Sequence, residues 1–416
     1  MAHDEPREIA VSRKHFTLRV VLVIALFIGG LTAIGFGIAQ MFRADPGVYT
    51  ITASPDKEHP FNYLGVQGSF YIDGDSGQVK AKKNAMTNLL NESLRAASYR
   101  FDEKKTYEAY SSIARVNQGL GTDVKVDERV YLTLQDAYKR SLEDNNFSLF
   151  AAPLFEAWSD ILNGSPTAYA ENDPLNNATA ATYLEKAAAI VNDPTNYSLT
   201  FKGEGVVNLS ISEAYKAFRS EYELDGAPVI SLNSLQDAYV LNEVATVFSR
   251  EGYKNGVLFT QKGFFKSLAN EQETTAKAID YKEKKAFAFG AFDIKGDYTL
   301  LGERHFTFTE DPNVSNPSYE LSKDGVTYHR HLGLDIGTGL PHNLFSSTFL
   351  IYEGDLLDGA TSLVSFNGAE TIEEAKALAK PGAMLVTFAS KRAYQSEQAK
   401  SKFQFALGSE YEAISL

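Results

Sequence analysis

The sequence predicts a mixed α+β domain preceded by one N-terminal membrane-spanning helix, and three observations carry that expectation. Val20 to Phe42 is a run without a single charge, bracketed by Arg19 and Arg43. Beyond it, some segments repeat apolar residues at helical spacing, as in Val130, Leu134, Ala137 and Tyr138, while others alternate apolar with polar residues, as in Tyr63–Asp73. The two textures interleave without an internal repeat or a second linker, the pattern of one mixed domain with mixed sheets and flanking helices.

The 23 residues of the uncharged run reach about 34 Å as a helix, enough to cross a hydrocarbon core of roughly 30 Å. A secretory signal has an apolar stretch of only about 7–15 residues. The best small-x-small site, Gly37-Ile38-Ala39, lies inside the run. Both points favour an uncleaved anchor. Arg7, Arg13, Lys14 and Arg19 precede the span and Arg43 alone follows it closely, so the N-terminus is expected in the cytoplasm and the main domain outside the cell membrane. The expected organisation is a cytoplasmic tail (1–19), a single transmembrane helix (20–42), a linker with Pro46, Pro55 and Pro60 (43–62), the α+β domain (63–390) and a C-terminal extension of it (391–416). The whole chain carries a net charge of -13, and residues 1–43 are net basic. The domain itself is therefore strongly acidic, which excludes nucleic acid as its partner. The absence of cysteine excludes disulfides, thiolate metal sites and cysteine nucleophiles.

Element by element, a strand over Tyr63–Asp73 ends at the turn Gly74-Asp75-Ser76-Gly77, and Leu89, Leu90, Leu94 and Ala97 mark a helix ending near Ser98. Further helices are expected over Tyr107–Val116, Arg129–Leu142 and Ala180–Val191, the last stopped by Asn192-Asp193-Pro194. Strands follow at Tyr197–Phe201 and Gly205–Leu209, helices at Ser212–Tyr222 and Asp237–Arg250, and a strand at Val257–Thr260. Glu271–Lys285 reads as a polar, exposed excursion, and Ala286–Asp293, Tyr298–Leu301 and Arg304–Thr309 have the alternating aromatic texture of sheet.

Two segments carry chemistry. His331 to Pro341 is a polar turn holding Asp335 and Thr338-Gly339-x-Pro341; glycine permits an unusual backbone angle there and proline stiffens the exit. Such a turn can present backbone N–H groups to an anion. Further on, Asp358 and Ser362 stand four apart at a helix start and share a face, a pair of hard oxygen ligands suited to Mg²⁺. Asp near a helix start also simply complements the helix dipole. His329, His331 and His342 do not have the spacing of a zinc site, and no His-Glu-x-x-His occurs.

In this order the segments resemble the ApbE-type flavin transferases, which move FMN from FAD onto a threonine of an acceptor protein. His331–Pro341 is similar to that family's His-x-x-Asp-Pro-x-Thr-Gly-x-Pro segment, with one extra residue and Ile336 where proline is expected. Asp358-Gly359-Ala360-Thr361-Ser362 is similar to its Asp-Ala-x-x-Thr segment, with serine last. Tyr319-Glu320, Asp324-Gly325-Val326-Thr327-Tyr328, Ser98–Asp102, Ile113–Asn117 and Pro153–Trp158 extend the likeness from about Tyr63 to Phe388. The resemblance implies His331 and Asp358 as catalytic residues, Asp335, Thr338 and Gly339 as cofactor-binding, Asp358 and Ser362 as metal ligands, and FAD or FMN with Mg²⁺ as cofactors. Departures are equally specific. Asn145-Asn146-Phe147-Ser148 stands where Gly-Ala-Phe-Asp is expected, and Gln236–Asn242 lacks the expected lysine and aspartate. Lys262-Gly263-Phe264 replaces Gly-Gly-Asp, and Gly290-Ala291-Phe292-Asp293 matches the missing motif in letters only. Three functions stay open: a degenerate relative binding flavin or a partner protein, an active Mg²⁺-dependent FMN transferase with a flavoprotein acceptor, and a ligand-free surface interaction module.

Overall fold

A computed structural model describes residues 45–53, 66–260, 263–268, 270–282, 285–296, 298–302, 306–307, 318–389, 392–405 and 412–416. The expected span 20–42 lies outside the described residues, and among those described no helix is long and apolar enough to cross a membrane.

Strands β1 (Gly47–Thr52) and β2 (Gln67–Ile72) precede the long helix α1 (Ser76–Phe101). A helical stretch follows: α2 (Ile113–Gln118), α3 (Glu128–Glu143), α4 (Ala152–Leu162), α5 (Pro166–Asn172), α6 (Ala178–Asn192), α7 (Glu213–Glu221) and α8 (Gln236–Arg250). Within it β3 (Asp123–Lys125), β4 (Tyr197–Phe201) and β5 (Val206–Ile211) form a small sheet ordered β3-β5-β4. The chain then returns to strand with β6 (Gly256–Phe259), β7 (Phe264–Leu268), β8 (Asn270–Lys282), β9 (Lys285–Gly296), β10 (Tyr298–Gly302) and β11 (Phe306–Thr307). Two short hairpins, β12 (Tyr319–Lys323) with β13 (Val326–Arg330) and β14 (Leu334–Asp335) with β15 (Leu340–Pro341), lead to β16 (Ser347–Glu353). Last come α9 (Leu356–Asn367), α10 (Ile372–Leu378), β17 (Met384–Ala389), β18 (Arg392–Gln395), α11 (Glu397–Lys402), β19 (Phe403–Phe405) and β20 (Glu412–Ser415).

The chain divides into two compact units. The described part of the smaller is Asp45–Gly47 with Ile72–Lys83. There the start of α1 is closed reciprocally: Asp75 N–H donates to Gln78 Oε1 at 3.0 Å and Gln78 N–H to Asp75 Oδ1 at 2.9 Å, which satisfies donors that a helix start leaves open.

The larger unit is built on a nine-stranded sheet ordered β1-β2-β6-β7-β10-β16-β17-β18-β20. From β2 to β18 neighbouring strands pair antiparallel, and β18 pairs with β20 in parallel. Strands β16 and β17 each bury five successive residues, as strands covered on both faces must. Alternation sorts them. Phe349, Ile351, Met384, Val386 and Phe388 join a core cluster with Ala399 of α11 and Phe403 of β19. The intervening Thr348 and Thr387 face α9, where Thr348 Oγ1 donates to Asn367 Oδ1 at 2.8 Å and lies 2.9 Å from Thr387 Oγ1. The last residue of α9 is thereby registered on the sheet. Strand β9 pairs with both β8 and β19 in a separate four-stranded sheet. A side chain at Gly290 there would meet the Phe403 ring at 2.0 Å, so this glycine is a seat for an aromatic ring within a strand.

The chain entering α8 is held by two polar residues. Asn117 of α2, buried, donates from Nδ2 to the carbonyls of Glu103 and Ile230 at 3.0 Å each, and its Oδ1 accepts from Val229 and Ile230 N–H at 3.0 and 2.9 Å. Glu103 Oε1 accepts from Leu232 N–H at 2.7 Å. Burial pushes the Glu103 carboxyl up to about 7, against the opposing hydrogen bonds of Ser231 and Leu232.

Two sequence expectations change. The helix expected over Tyr107–Val116 begins only at Ile113. Upstream, Asp102 accepts from Lys104 N–H, Lys105 N–H and the Tyr107 hydroxyl at 2.9, 2.8 and 2.7 Å, and these bonds hold the backbone in a turn. Of the polar segment Glu271–Lys285, residues 271–282 form most of β8, which pairs with β9.

Asn117→Ala strips partners from two buried N–H and two carbonyl groups, and is expected to lower unfolding stability in urea by about 3–4 kcal/mol. Glu103 favours its protonated form when folded, so its contribution is intact below its unfolded value of 4.5 and is lost as pH rises through about 7. Glu103→Gln should flatten that part of the stability profile, gaining about 2–3 kcal/mol on wild type at pH 8 relative to pH 5.

Candidate functional site

Asp335 builds the turn between β14 and β15. Its Oδ1 accepts from Gly337 N–H at 2.8 Å, its Oδ2 from the Thr338 hydroxyl at 2.6 Å, and its carbonyl from Gly339 N–H at 2.8 Å. Gly339 has φ +71°, and a Cβ there would lie 2.8 Å from Leu154 Cδ2, so left-handed backbone and close packing both demand glycine. Its carbonyl accepts from the indole Nε1–H of Trp158 at 2.8 Å, while Asn192 Nδ2 donates to the Ile336 carbonyl at 2.8 Å. His331 is buried; its Nδ1 accepts from Gly333 N–H at 2.9 Å and its Nε2 lies 2.8 Å from the His342 carbonyl. That bonding places the ring proton on Nε2 and spends both nitrogens on the loop.

Beside the turn, Arg330 and Asp173 form a buried pair, 3% and 0% exposed. Arg330 Nε and Nη2 donate to the two Asp173 oxygens at 2.7 and 3.2 Å. The carboxylate also accepts from the Tyr319 hydroxyl at 2.7 Å and Leu175 N–H at 2.9 Å. Burial first, then the bond to Asp173, pushes the Tyr319 phenol above its usual range. The guanidinium lies 5.5 Å from the Trp158 ring centre and 5.1 Å from that of Tyr328. A cavity of about 430 Å³ opens here, lined by Thr338, Leu340, Leu184, Ala188, Asn192 and Arg330 among others, large enough for a small ligand. A second cavity of about 170 Å³ reaches His329 and His331.

Helix α9 starts at Asp355, whose Oδ1 accepts from Leu357 and Asp358 N–H at 2.8 and 3.3 Å. The Asp358 carboxylate is 3.0 Å from Arg140 Nη1, which also donates to Thr361 Oγ1 at 2.9 Å. Arg140 Nε donates to Asp136 Oδ2 at 2.8 Å, and the Tyr239 hydroxyl donates to the same oxygen at 2.7 Å. Burial works against the Arg140 charge, but the hydrogen bond and charge of Asp136, with Tyr239 and Asp358, more than offset it and hold the guanidinium above its usual range. The Ser362 hydroxyl donates to the Asp358 carbonyl at 2.6 Å. Where Gly-Ala-Phe-Asp is expected, the chain instead packs on the end of α9. Asp144 accepts from the Ser365 hydroxyl, and Asn146 lies where a side chain at Gly368 would be.

Mg²⁺ takes about six oxygens at about 2.1 Å. Here Asp358 is already paired with a guanidinium, Ser362 is 8% exposed, and among the described residues no three His, Asp or Glu are grouped to share an ion. These residues do not fit a resident divalent cation. The site residues expected from the sequence thus fall into two sets: His331, Asp335, Thr338 and Gly339 in the turn held by Trp158 and Asn192, and, on α9, Asp358, paired with Arg140, and Ser362, bonded to the Asp358 carbonyl. Thr338 lines the larger cavity. Sequence reasoning missed Arg140, Arg330 and Asp173. The Asp136–Arg140 spacing of four on a helix was the one visible signal.

No protein-family model matches the chain, and no curated protein matches its sequence. Solved structures do. The ApbE protein of Thermotoga maritima is 16% identical with a TM-score of 0.57, covering 85% of this chain and 99% of that one. The flavinyl transferase ApbE of Pseudomonas stutzeri is 13% identical with a TM-score of 0.55, covering 87% and 99%. The flavin transferase ApbE of Vibrio cholerae is 13% identical with a TM-score of 0.52, covering 85% and 99%. The chain therefore has the ApbE flavin-transferase fold, in a strongly diverged sequence.

Arg330→Met leaves the Asp173 carboxylate buried with neutral donors alone, and is expected to cost about 3–5 kcal/mol in urea unfolding. Gly339→Ala should cost about 1–3 kcal/mol through the positive φ and the contact with Leu154. A loss below about 0.5 kcal/mol would show that the turn relaxes freely.

Proposed function

We propose that this chain is an ApbE-fold flavin-binding protein without FMN-transfer activity, held at the cell membrane by residues 20–42 with its folded part outside. The observation that carries the loss of transfer is the Asp358–Arg140 contact at 3.0 Å. Moving FMN from FAD requires the diphosphate charge to be neutralised and the acceptor hydroxyl held in line. A carboxylate already closed by a guanidinium is a poor anchor for the cation that neutralises that charge. His331 gives further support, because both ring nitrogens serve the loop and leave no free base. The flavin part of the reading is supported by the neighbours that are flavin transferases and by the cavity beside Thr338. The anchor is supported by the uncharged run between Arg19 and Arg43.

The full chain in non-ionic detergent, incubated with FAD, Mg²⁺ and an FMN-acceptor domain, should leave the acceptor's intact mass unchanged while FAD fluorescence changes on binding. An FMN adduct that disappears with Asp358→Ala sinks the non-transferring reading. Unchanged FAD fluorescence sinks the flavin reading and leaves protein partners to be sought. Removal of residues 1–43 should move the protein from the membrane fraction to the supernatant; continued sedimentation with membranes would refute the anchor.

A further inference from the structure

The larger cavity beside the polar turn has a wall of definite chemistry. Six of its lining residues, Ala181, Leu184, Glu185, Ala188, Ala189 and Asn192, recur at helical spacing along one face of α6. The rest of the wall includes Leu175, Arg330, and Gly337, Thr338 and Leu340 of the turn. The turn approaches α6 closely because Gly339 has no side chain; a Cβ there would lie 3.4 Å from the Leu184 carbonyl oxygen and 3.5 Å from Ala188 Cβ. Leu184 and Ala188 are buried and make an apolar floor. Glu185, Asn192 and Thr338 are exposed and make a polar mouth. At about 430 Å³ the space lies at the small end of the range for ligand sites, the size of one ring system.

Hydrogen-bond accounting decides what the mouth can offer. Asn192 Nδ2 is spent on the Ala188 and Ile336 carbonyls at 2.8 Å each. Thr338 gives its hydroxyl hydrogen to Asp335, and Gly337 N–H goes to the same carboxylate. These groups keep only acceptors for a ligand, Asn192 Oδ1 and Thr338 Oγ1. Glu185 adds a carboxylate that has no ion-pair partner among the described residues. Arg330 brings no net charge, because it is 3% exposed and Asp173 neutralises it; its remaining N–H groups suit a neutral carbonyl. A phosphate placed here would meet an unpaired carboxylate and no unpaired cation.

We propose that this cavity takes an uncharged heteroaromatic ring with N–H groups on its edge, and that any phosphate attached to the ring stays outside. The apolar floor takes the ring out of water, and the acceptors of the mouth receive its N–H groups. FAD carries two rings of this chemistry, its isoalloxazine and its adenine, and the wall serves either. The source of the ring rests on the flavin reading above; the preference for an uncharged ring does not.

The test compares each neutral ring compound with its phosphate ester on the full chain in non-ionic detergent: riboflavin against FMN by fluorescence, adenosine against AMP by calorimetry. Riboflavin or adenosine should bind one equivalent, no more weakly than its ester. Ala189→Trp, a change at an exposed position of the cavity wall, should raise that Kd at least tenfold. Glu185→Lys, exposed as well, should shift the preference about fivefold toward the ester. An ester that binds wild type tenfold more tightly than its neutral ring compound overturns the proposal, as does failure of both riboflavin and adenosine to bind. Binding that Ala189→Trp leaves unchanged also overturns it; where that ligand is FMN or FAD, the flavin reading stands. Adenosine binding without any flavin binding supports the proposal and sinks the flavin reading.

Discussion

The buried pair of Arg330 and Asp173 is the constraint on which the site's architecture depends. Asp173 ends a short helix in the helical stretch, and Arg330 ends a hairpin strand more than a hundred residues later. Two charges brought out of water at this depth survive only when every remaining valence is filled. That requirement recruits Tyr319 and Leu175 N–H to the carboxylate and the faces of Trp158 and Tyr328 to the guanidinium. Trp158 then carries the constraint onward, because its indole N–H holds the Gly339 carbonyl and with it the whole polar turn. Hairpins that would be marginal by themselves are fixed against helices through this chain of contacts, together with the Asn192 bond to the Ile336 carbonyl.

Arg140 works by the same chemistry at shallower depth. It joins α3 to α9 and, through Asp136, to Tyr239 of α8. The two arginines divide the task. One sits in the interior and sets the position of the hairpins; the other sits under a rim of carboxylates and ties helices together.

Much of this was legible in the sequence, and the part that was not has a common cause. The helices over α3, α6, α7 and α8 were visible because their apolar stripes repeat locally, and Ser212 and Asp355 announce two helix starts by residue type. The ordered motifs between Tyr63 and Phe388 pointed to the fold that solved neighbours share. The loop after Asp102 was read as helix because three local captures of N–H and hydroxyl groups leave no periodic trace. Arg140 and Arg330 were missed because each is defined by a partner far away in sequence, Asp358 in one case and Asp173 in the other. In a linear reading both are ordinary polar positions on a helix and a strand. Residue type gave the candidate carboxylate; only the folded chain shows what neutralises it.

Strand order carries a further consequence, for how the chain reaches this state. Strand β2 pairs with β6, Gln67 against Phe259, so the entire helical stretch is synthesised between two neighbours of one sheet. Strand β18 likewise waits for β20, a parallel partner that appears only after α11 and β19. Closure of such long loops must precede the pairing that rewards it, which slows assembly. During synthesis β2 therefore presents an unsatisfied edge for as long as it takes to make nearly two hundred residues, and such an edge is a template for pairing with other chains. Assembly of this protein is then a race between long-range closure and intermolecular strand addition, one that favours low nascent-chain density or a chaperone that shields β2.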